Sequence, residues 1–274
     1  MAEEYLNETQ TAFPTSGQTM PVLFVGHGSP MNAIEDNEFS RSWAEIGRLL
    51  PEPQAILCIS AHWETPSTQV TTMECPQTIH DFGGFPRELF EMKYPAPGSP
   101  KLAHLVKQLV TETTVCLDEE WGLDHGTWSV LASMFPKANI PVIQLSLDHG
   151  REPKWHYRLG KALQPLRQRG VLIIGSGNIV HNLRMAFFQE EPFDWALEFD
   201  EKIRNMILKG DHMGAVDYFK LGKAASLSVP TNEHYLPFLY ILGLQMENEN
   251  VRFFNEKTVM GSLSMRSFIL GESG

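Results

Sequence analysis

Four short runs in this chain are almost free of polar residues: Val22-Leu23-Phe24-Val25, Ala55-Ile56-Leu57-Cys58-Ile59, Pro141-Val142-Ile143-Gln144-Leu145 and Val171-Leu172-Ile173-Ile174. Glycine or proline stands close to each. A strand that is apolar at consecutive positions must be covered on both faces, which is the pattern of parallel sheets rather than of half-exposed antiparallel ones. Helical patterns fall between the runs. Phe39, Trp43, Ile46 and Leu50 share one face after a cap at Asp36 or Asn37, and Ser99-Pro100 opens a second helix through Leu102, Leu105, Val106 and Leu109. Trp155, Leu159, Leu163 and Leu166 mark a third helix, and Trp195, Phe199, Ile203, Met206 and Ile207 a fourth. Strands alternating with helices predict an α/β domain with a central, mostly parallel or mixed sheet flanked by helices.

A length of 274 residues admits one large domain or two small ones. No Gly/Ser/Pro-rich linker and no repeat divides the chain, so one domain over residues 21–274 is expected. Residues 1–20 are polar, contain Pro14, Ser16 and Gly17, and read as an N-terminal tail or arm. With 22 Lys and Arg against 33 Asp and Glu, the net charge of −11 gives no general attraction to nucleic acid or anionic lipid. The apolar runs are too short to span a bilayer, and Glu3, Glu4 and Glu8 do not suit a secretory signal. Three scattered cysteines without a CxxC pair suit a reducing cytoplasm and exclude a thiolate zinc site. Nothing reads as a coiled coil, which leaves a monomer or small homo-oligomer.

The ten histidines are more telling. His27 directly follows the first apolar run, His62 follows the second, and His181 lies just past Val171–Ile174. Ligands of open α/β sheets bind outside the carboxyl ends of the strands, so these three histidines would converge on one crevice. His234 is expected in the first turn of a C-terminal helix beside Glu233, and His125 just before another helical run. Several imidazoles with open positions suit zinc or non-haem iron. His80, His104, His149, His156 and His212 have weaker contexts and read as structural. The irregular stretch 74–99, rich in Gly, Pro and aromatics, suits a wall over a pocket. Gly175-Ser176-Gly177 lacks the third glycine of a dinucleotide loop, and no serine-hydrolase elbow, HExxH or Walker A pattern is present.

Six blocks, taken together and in order, carry a resemblance: Phe24-Val25-Gly26-His27-Gly28-Ser29-Pro30-Met31, Ile59-Ser60-Ala61-His62-Trp63, Asp81-Phe82-Gly83-Gly84-Phe85-Pro86, Trp121-Gly122-Leu123-Asp124-His125-Gly126-Thr127-Trp128, Gly175-Ser176-Gly177-Asn178-Ile179-Val180-His181-Asn182 and Glu233-His234-Tyr235-Leu236-Pro237. The chain resembles the class III extradiol ring-cleavage dioxygenases, and within them the DOPA 4,5-dioxygenase branch of plants and bacteria. The resemblance implies one α/β domain with a mononuclear metal site at one sheet end, a catechol substrate and O2. It implies His27 and His62 as metal ligands, His181 as acid/base and His125 as a substrate-facing residue. Many relatives place a glutamate as third ligand; here Glu233 and His234 compete, and the DOPA-like branch favours His234, with His181 near enough to be a fourth ligand. An all-imidazole set leaves the ion open between Zn(2+) and Fe(2+), since zinc has no accessible redox state.

Trp63, Phe82, Phe85 and Trp128 are the expected substrate-binding walls, with Arg87 and Glu91 as charged partners for an amino-acid end. Two other readings use the same residues: a zinc-dependent hydrolase, and a non-catalytic metal- or partner-binding member of the fold.

Overall fold

The computed structural model describes residues 11–15, 17–187 and 191–271. The expected arm over residues 1–20 therefore lies outside the described residues at 1–10 and at 16. Its described part packs on the domain: Phe13 is buried, its carbonyl accepts a 2.6 Å bond from Arg169, and the Met20 amide donates to the Arg167 carbonyl.

Among the described residues ten strands are formed: β1 Val22–Gly26, β2 Ala55–Thr65, β3 Gln69–Thr71, β4 Cys116–Asp118, β5 Val142–Asp148, β6 Val171–Gly177, β7 Val251–Phe254, β8 Thr258–Val259, β9 Leu263–Ser264 and β10 Ser267–Leu270. Eight of them build one mixed sheet in the order β4-β3-β5-β2-β6-β1-β10-β7, and β8 and β9 make a separate two-stranded ribbon. The four centre strands, β5, β2, β6 and β1, run parallel, and the chain turns antiparallel at β3 and at β10. These four are the runs that the sequence marks as apolar.

Side-chain alternation explains the continuous apolar runs. Val22, Phe24, Ala55, Leu57, Ile59, Val171 and Ile173 join one core, while Leu23, Val25, Ile56, Cys58, Leu172 and Ile174 join the other. The second face is closed by helices α1 (Glu38–Leu49), α2 (Arg87–Glu91) and α4 (His125–Met134). The first face takes α3 (Pro100–Leu109), α5 (Pro153–Ala162), α6 (Asp194–Lys209) and α9 (Leu236–Leu244), with the short α7 (His212–Val216) and α8 (Lys223–Ser228). The capping expectations are met: Asn37 accepts from the Phe39 and Ser40 amides, and Ser99 from Leu102.

Every residue of α9 is buried, because it is wedged between β6 and α5. Two glycines permit this. A Cβ at Gly160 would lie 2.3 Å from the Tyr240 carbonyl oxygen, and one at Gly243 would lie 2.2 Å from that of Tyr157. At this junction His156 is fully buried, with Nδ1 3.1 Å from the Tyr240 hydroxyl.

Burial lowers the His156 pKa from 6.5 to about 4. Unfolded chain therefore binds a proton at this ring below about 6.5 that folded chain refuses until about 4, and stability falls as pH drops through that window. His156→Gln is expected to flatten the urea-midpoint stability profile of metal-free protein between pH 7 and 5 by about 2 kcal/mol. A variant as steep as the parent would show that this ring does not govern acid sensitivity.

Candidate metal centre and active site

The carboxyl ends of the parallel strands carry the site. His27 follows β1 and is pinned by its amide to the Gly177 carbonyl at 3.1 Å. His62 does not follow β2, as its run suggests, but lies within it: β2 continues past a register shift between Ile59 and Glu64, and that extension bears the imidazole. His125 is the first residue of α4, capped by the Asp124 side chain on the Thr127 amide. His234 stands in a turn two residues ahead of α9 rather than in its first helical turn. His181 bridges to Leu263 of β9.

Close backbone approach brings His234 in. A Cβ at Gly177 would sit 2.2 Å from the His234 carbonyl oxygen, and one at Gly175 2.6 Å from that of Pro237. The Asn178 amide completes the contact, donating to the His234 carbonyl at 2.8 Å. The Gly-Ser-Gly run thus serves a backbone-to-backbone approach.

Ring positions define a tight group. His27 Nε2 lies 3.1 Å from His62 Nε2, and one ligand atom from each of His27, His62 and His234 falls within 4.8 Å of the others. His181 stacks flat on His234 with ring centroids 3.4 Å apart, and groups with Glu233 and His234. The His125 ring lies 3.9 Å from that of His62.

Acceptors stand behind the rings of His27, His234 and His62. The Ser176 hydroxyl donates to the Gly126 carbonyl at 2.5 Å, so it accepts from His27 Nδ1 at 3.0 Å. His234 Nδ1 donates to Glu233 Oε1 at 2.9 Å, and His62 Nδ1 faces Asp81 Oδ2 at 3.4 Å. Acceptors behind Nδ1 leave Nε2 lone pairs facing inward, the arrangement found behind metal-bound histidines.

Charge follows burial. Burial, then mutual repulsion, holds His27 and His234 well below the usual imidazole range. His62 is lowered to about 3 by burial and His125, against the pull of Asp81, and His181 to about 4 by burial. Burial alone would raise Asp81, but the hydrogen bonds and charge of His125 outweigh it and hold it low. Neutral imidazoles are the form that binds a metal. His27 Nε2 and His62 Nε2 lie 3.1 Å apart, about the spacing of two nitrogens on one ion, so this donor set fits one divalent ion.

The expected aromatic walls divide. Phe82 packs edge-on against His125 at 5.5 Å, and Phe85 against Phe82 at 5.3 Å. Trp128 is fully buried behind Phe82 and His80, its indole N–H donating to the Ile79 carbonyl. Trp63 is buried and stacks on Trp121 at 5.7 Å. Arg87 and Glu91 pair with each other at 2.6 Å on the surface of α2. Asp81 and Ser176, which hold rings in place, carry no sequence signal of that role: one sits in an irregular loop, the other between two glycines.

A mixed α/β sheet with five imidazoles at one end has the form of a metal-dependent enzyme. Residues 20–262 match the family model described as the catalytic LigB subunit of aromatic ring-opening dioxygenase, and the chain belongs to this family of ring-opening enzymes. An Escherichia coli (strain K12) protein named 4,5-DOPA dioxygenase extradiol is 47% identical over 93% of this chain and 96% of its own length. A Beta vulgaris protein of the same name is 37% identical over 90% of this chain and 94% of its own. The crystal structure of an uncharacterized protein from Escherichia coli K12 superposes with a TM-score of 0.80 at 43% identity, covering 92% of this chain and all (100%) of that one. Among the described residues, no helix is long and apolar enough to cross a membrane.

A methyl group at Gly177 would collide with the His234 carbonyl. Gly177→Ala is expected to cost about 1–3 kcal/mol of stability in urea melts. It should also weaken Zn(2+) binding by about tenfold or more in competition titrations, as loss of ligand support does elsewhere. Undiminished affinity would show that His234 need not be held by this contact.

Proposed function

We propose that the chain catalyses extradiol 4,5-cleavage of a catechol such as DOPA, with insertion of O2 to give a muconate semialdehyde. The observation that carries this reading is 47% identity, over nearly the full length of both chains, to a protein named for that reaction. The convergence of His27, His62 and His234 supports it independently. Residues 21–274 form the catalytic domain in this reading, and residues 1–20 an arm.

His27, His62 and His234 would hold one divalent ion, with His181 as a fourth ligand in the absence of substrate. Glu233, bonded to His234 Nδ1, serves as the partner of that ligand rather than as a ligand itself. When bound, an iron(II) ion would bring the catecholate and O2 together and pass charge between them. His181 is neutral at physiological pH, because burial lowers it to about 4, and so can take a phenolic proton. His125 faces the substrate from the other side, and His181 gives that proton back, directly or through His125, as the ring opens. Phe82, with Phe85 behind it, walls the ring and excludes water; Trp128 and Trp63 support the walls from within the core. Cys58, Cys75 and Cys116 are free thiols, which fits action in the cytoplasm.

The all-imidazole donor set favours one second reading, a zinc hydrolase on the same residues. The test is to strip the metal, reload with Fe(2+) or Zn(2+), and score a catechol panel including DOPA for O2 uptake and yellow product. Uptake with the iron form and none with the zinc form is expected. No uptake with any catechol in the iron form would discard ring cleavage, and turnover without oxygen would favour the hydrolase. In the iron form His181→Ala should lower kcat by about 10²–10⁴ while metal content stays near that of the parent. Unchanged turnover would remove His181 from the proton path.

A further inference from the structure

Asp81 connects two rings with different tasks. Its Oδ1 accepts from the His125 backbone amide at 2.9 Å, and its Oδ2 lies 2.8 Å from His125 Nδ1. That same oxygen lies 3.4 Å from His62 Nδ1. The side chain is 16% exposed and turned inward from an irregular loop whose backbone lies at the surface. Both oxygens are thus engaged with the first residue of α4, across 44 positions of sequence, and one of them also touches the back of a proposed metal ligand.

The chemistry of this contact is directional. An ionised carboxylate only accepts, so the nitrogen 2.8 Å from it must carry the hydrogen. His125 is therefore held as the Nδ1–H tautomer, with Nε2 left bare on the opposite edge of the ring. The backbone bond to Oδ1 fixes the position of α4's first residue as well as the ring's rotation. A neutral amide in its place could turn its own hydrogens toward Nδ1 and release the ring to the other tautomer.

We propose that Asp81 is a positioning residue that sets the tautomer of His125 and braces His62 through one shared oxygen, so that the substrate-facing histidine and a metal ligand are oriented as a unit. The expected effect on turnover rests on the ring-cleavage reading above; the tautomer does not.

Histidine-15N-labelled, metal-free protein gives the direct test through long-range 1H–15N spectra at pH 8, with His125→Gln to assign the ring. The parent chain is expected to show His125 as the Nδ1–H tautomer. Asp81→Asn, whose amide can donate to Nδ1, should shift it to Nε2–H or to a mixture. In the iron-loaded enzyme Asp81→Asn should lower kcat by about 10- to 100-fold with KM within about threefold, and Zn(2+) affinity should fall by about tenfold. Asp81→Glu, which restores the carboxylate, should recover part of the loss in kcat. An Nε2–H tautomer at His125 in the parent would overturn the proposal without any variant, as would an unchanged tautomer and a kcat within twofold in Asp81→Asn. If no catechol is cleaved even by the parent, the ring-cleavage reading fails while the spectra still decide the role of Asp81.

Discussion

Crowding five imidazoles into one cleft costs little only while the rings stay neutral. Each protonated ring would raise the energy of the next, and burial removes the water that could offset it. The low pKa values of His27, His62, His181 and His234 express that constraint. The surroundings comply with it: behind the rings stand a hydroxyl, Ser176, and two carboxylates, Asp81 and Glu233, each placed to accept from Nδ1. With Nδ1 occupied, the lone pairs face a common centre. A pocket built this way keeps its lone pairs free of protons and so open to a divalent ion.

That arrangement depends on strands that end at different heights around one crevice. β1 stops at Gly26 and delivers His27 at once, whereas β2 runs on through a register shift so that His62 reaches across. β6 ends in glycines, which lets the turn before α9 lie directly on it and set His234 opposite both. Side chains would be in the way there. Asp124 belongs to the same construction. Fully buried, it accepts from Ser60 of β2 at 2.6 Å and from Gln144 of β5 at 2.6 Å, and it caps the helix that begins with His125.

The centre of the sheet was legible in the sequence because β1, β2, β5 and β6 are covered on both faces, which writes an unbroken apolar run. Edge strands leave no such mark. β4 is three residues with Cys116 exposed, and β8 and β9 are the two-residue arms of one local hairpin, too short to write a periodic pattern. The histidines could be sorted by strand end, yet Glu233 and His234 are neighbours in the chain, and sequence position alone cannot separate a ligand from its hydrogen-bond partner. Asp81 was invisible for a different reason. Its meaning lies in a partner 44 residues away, and nothing local in Asp81-Phe82-Gly83-Gly84 hints at that pairing.

The wedged, wholly apolar α9 also bears on how the protein comes into being. Its neighbours β1, β2, α5 and β6 all precede it in the chain, so during synthesis from the N-terminus they leave the ribosome first, with one face of β6 bare. His27 and His62 can already meet at that stage, but two imidazoles make an incomplete clasp. Docking of α9 buries the bare face and carries His234 into place in the same movement. Covering that face of β6 and completing the proposed metal site are then one event, so a nascent chain would not hold its ion firmly before α9 had docked.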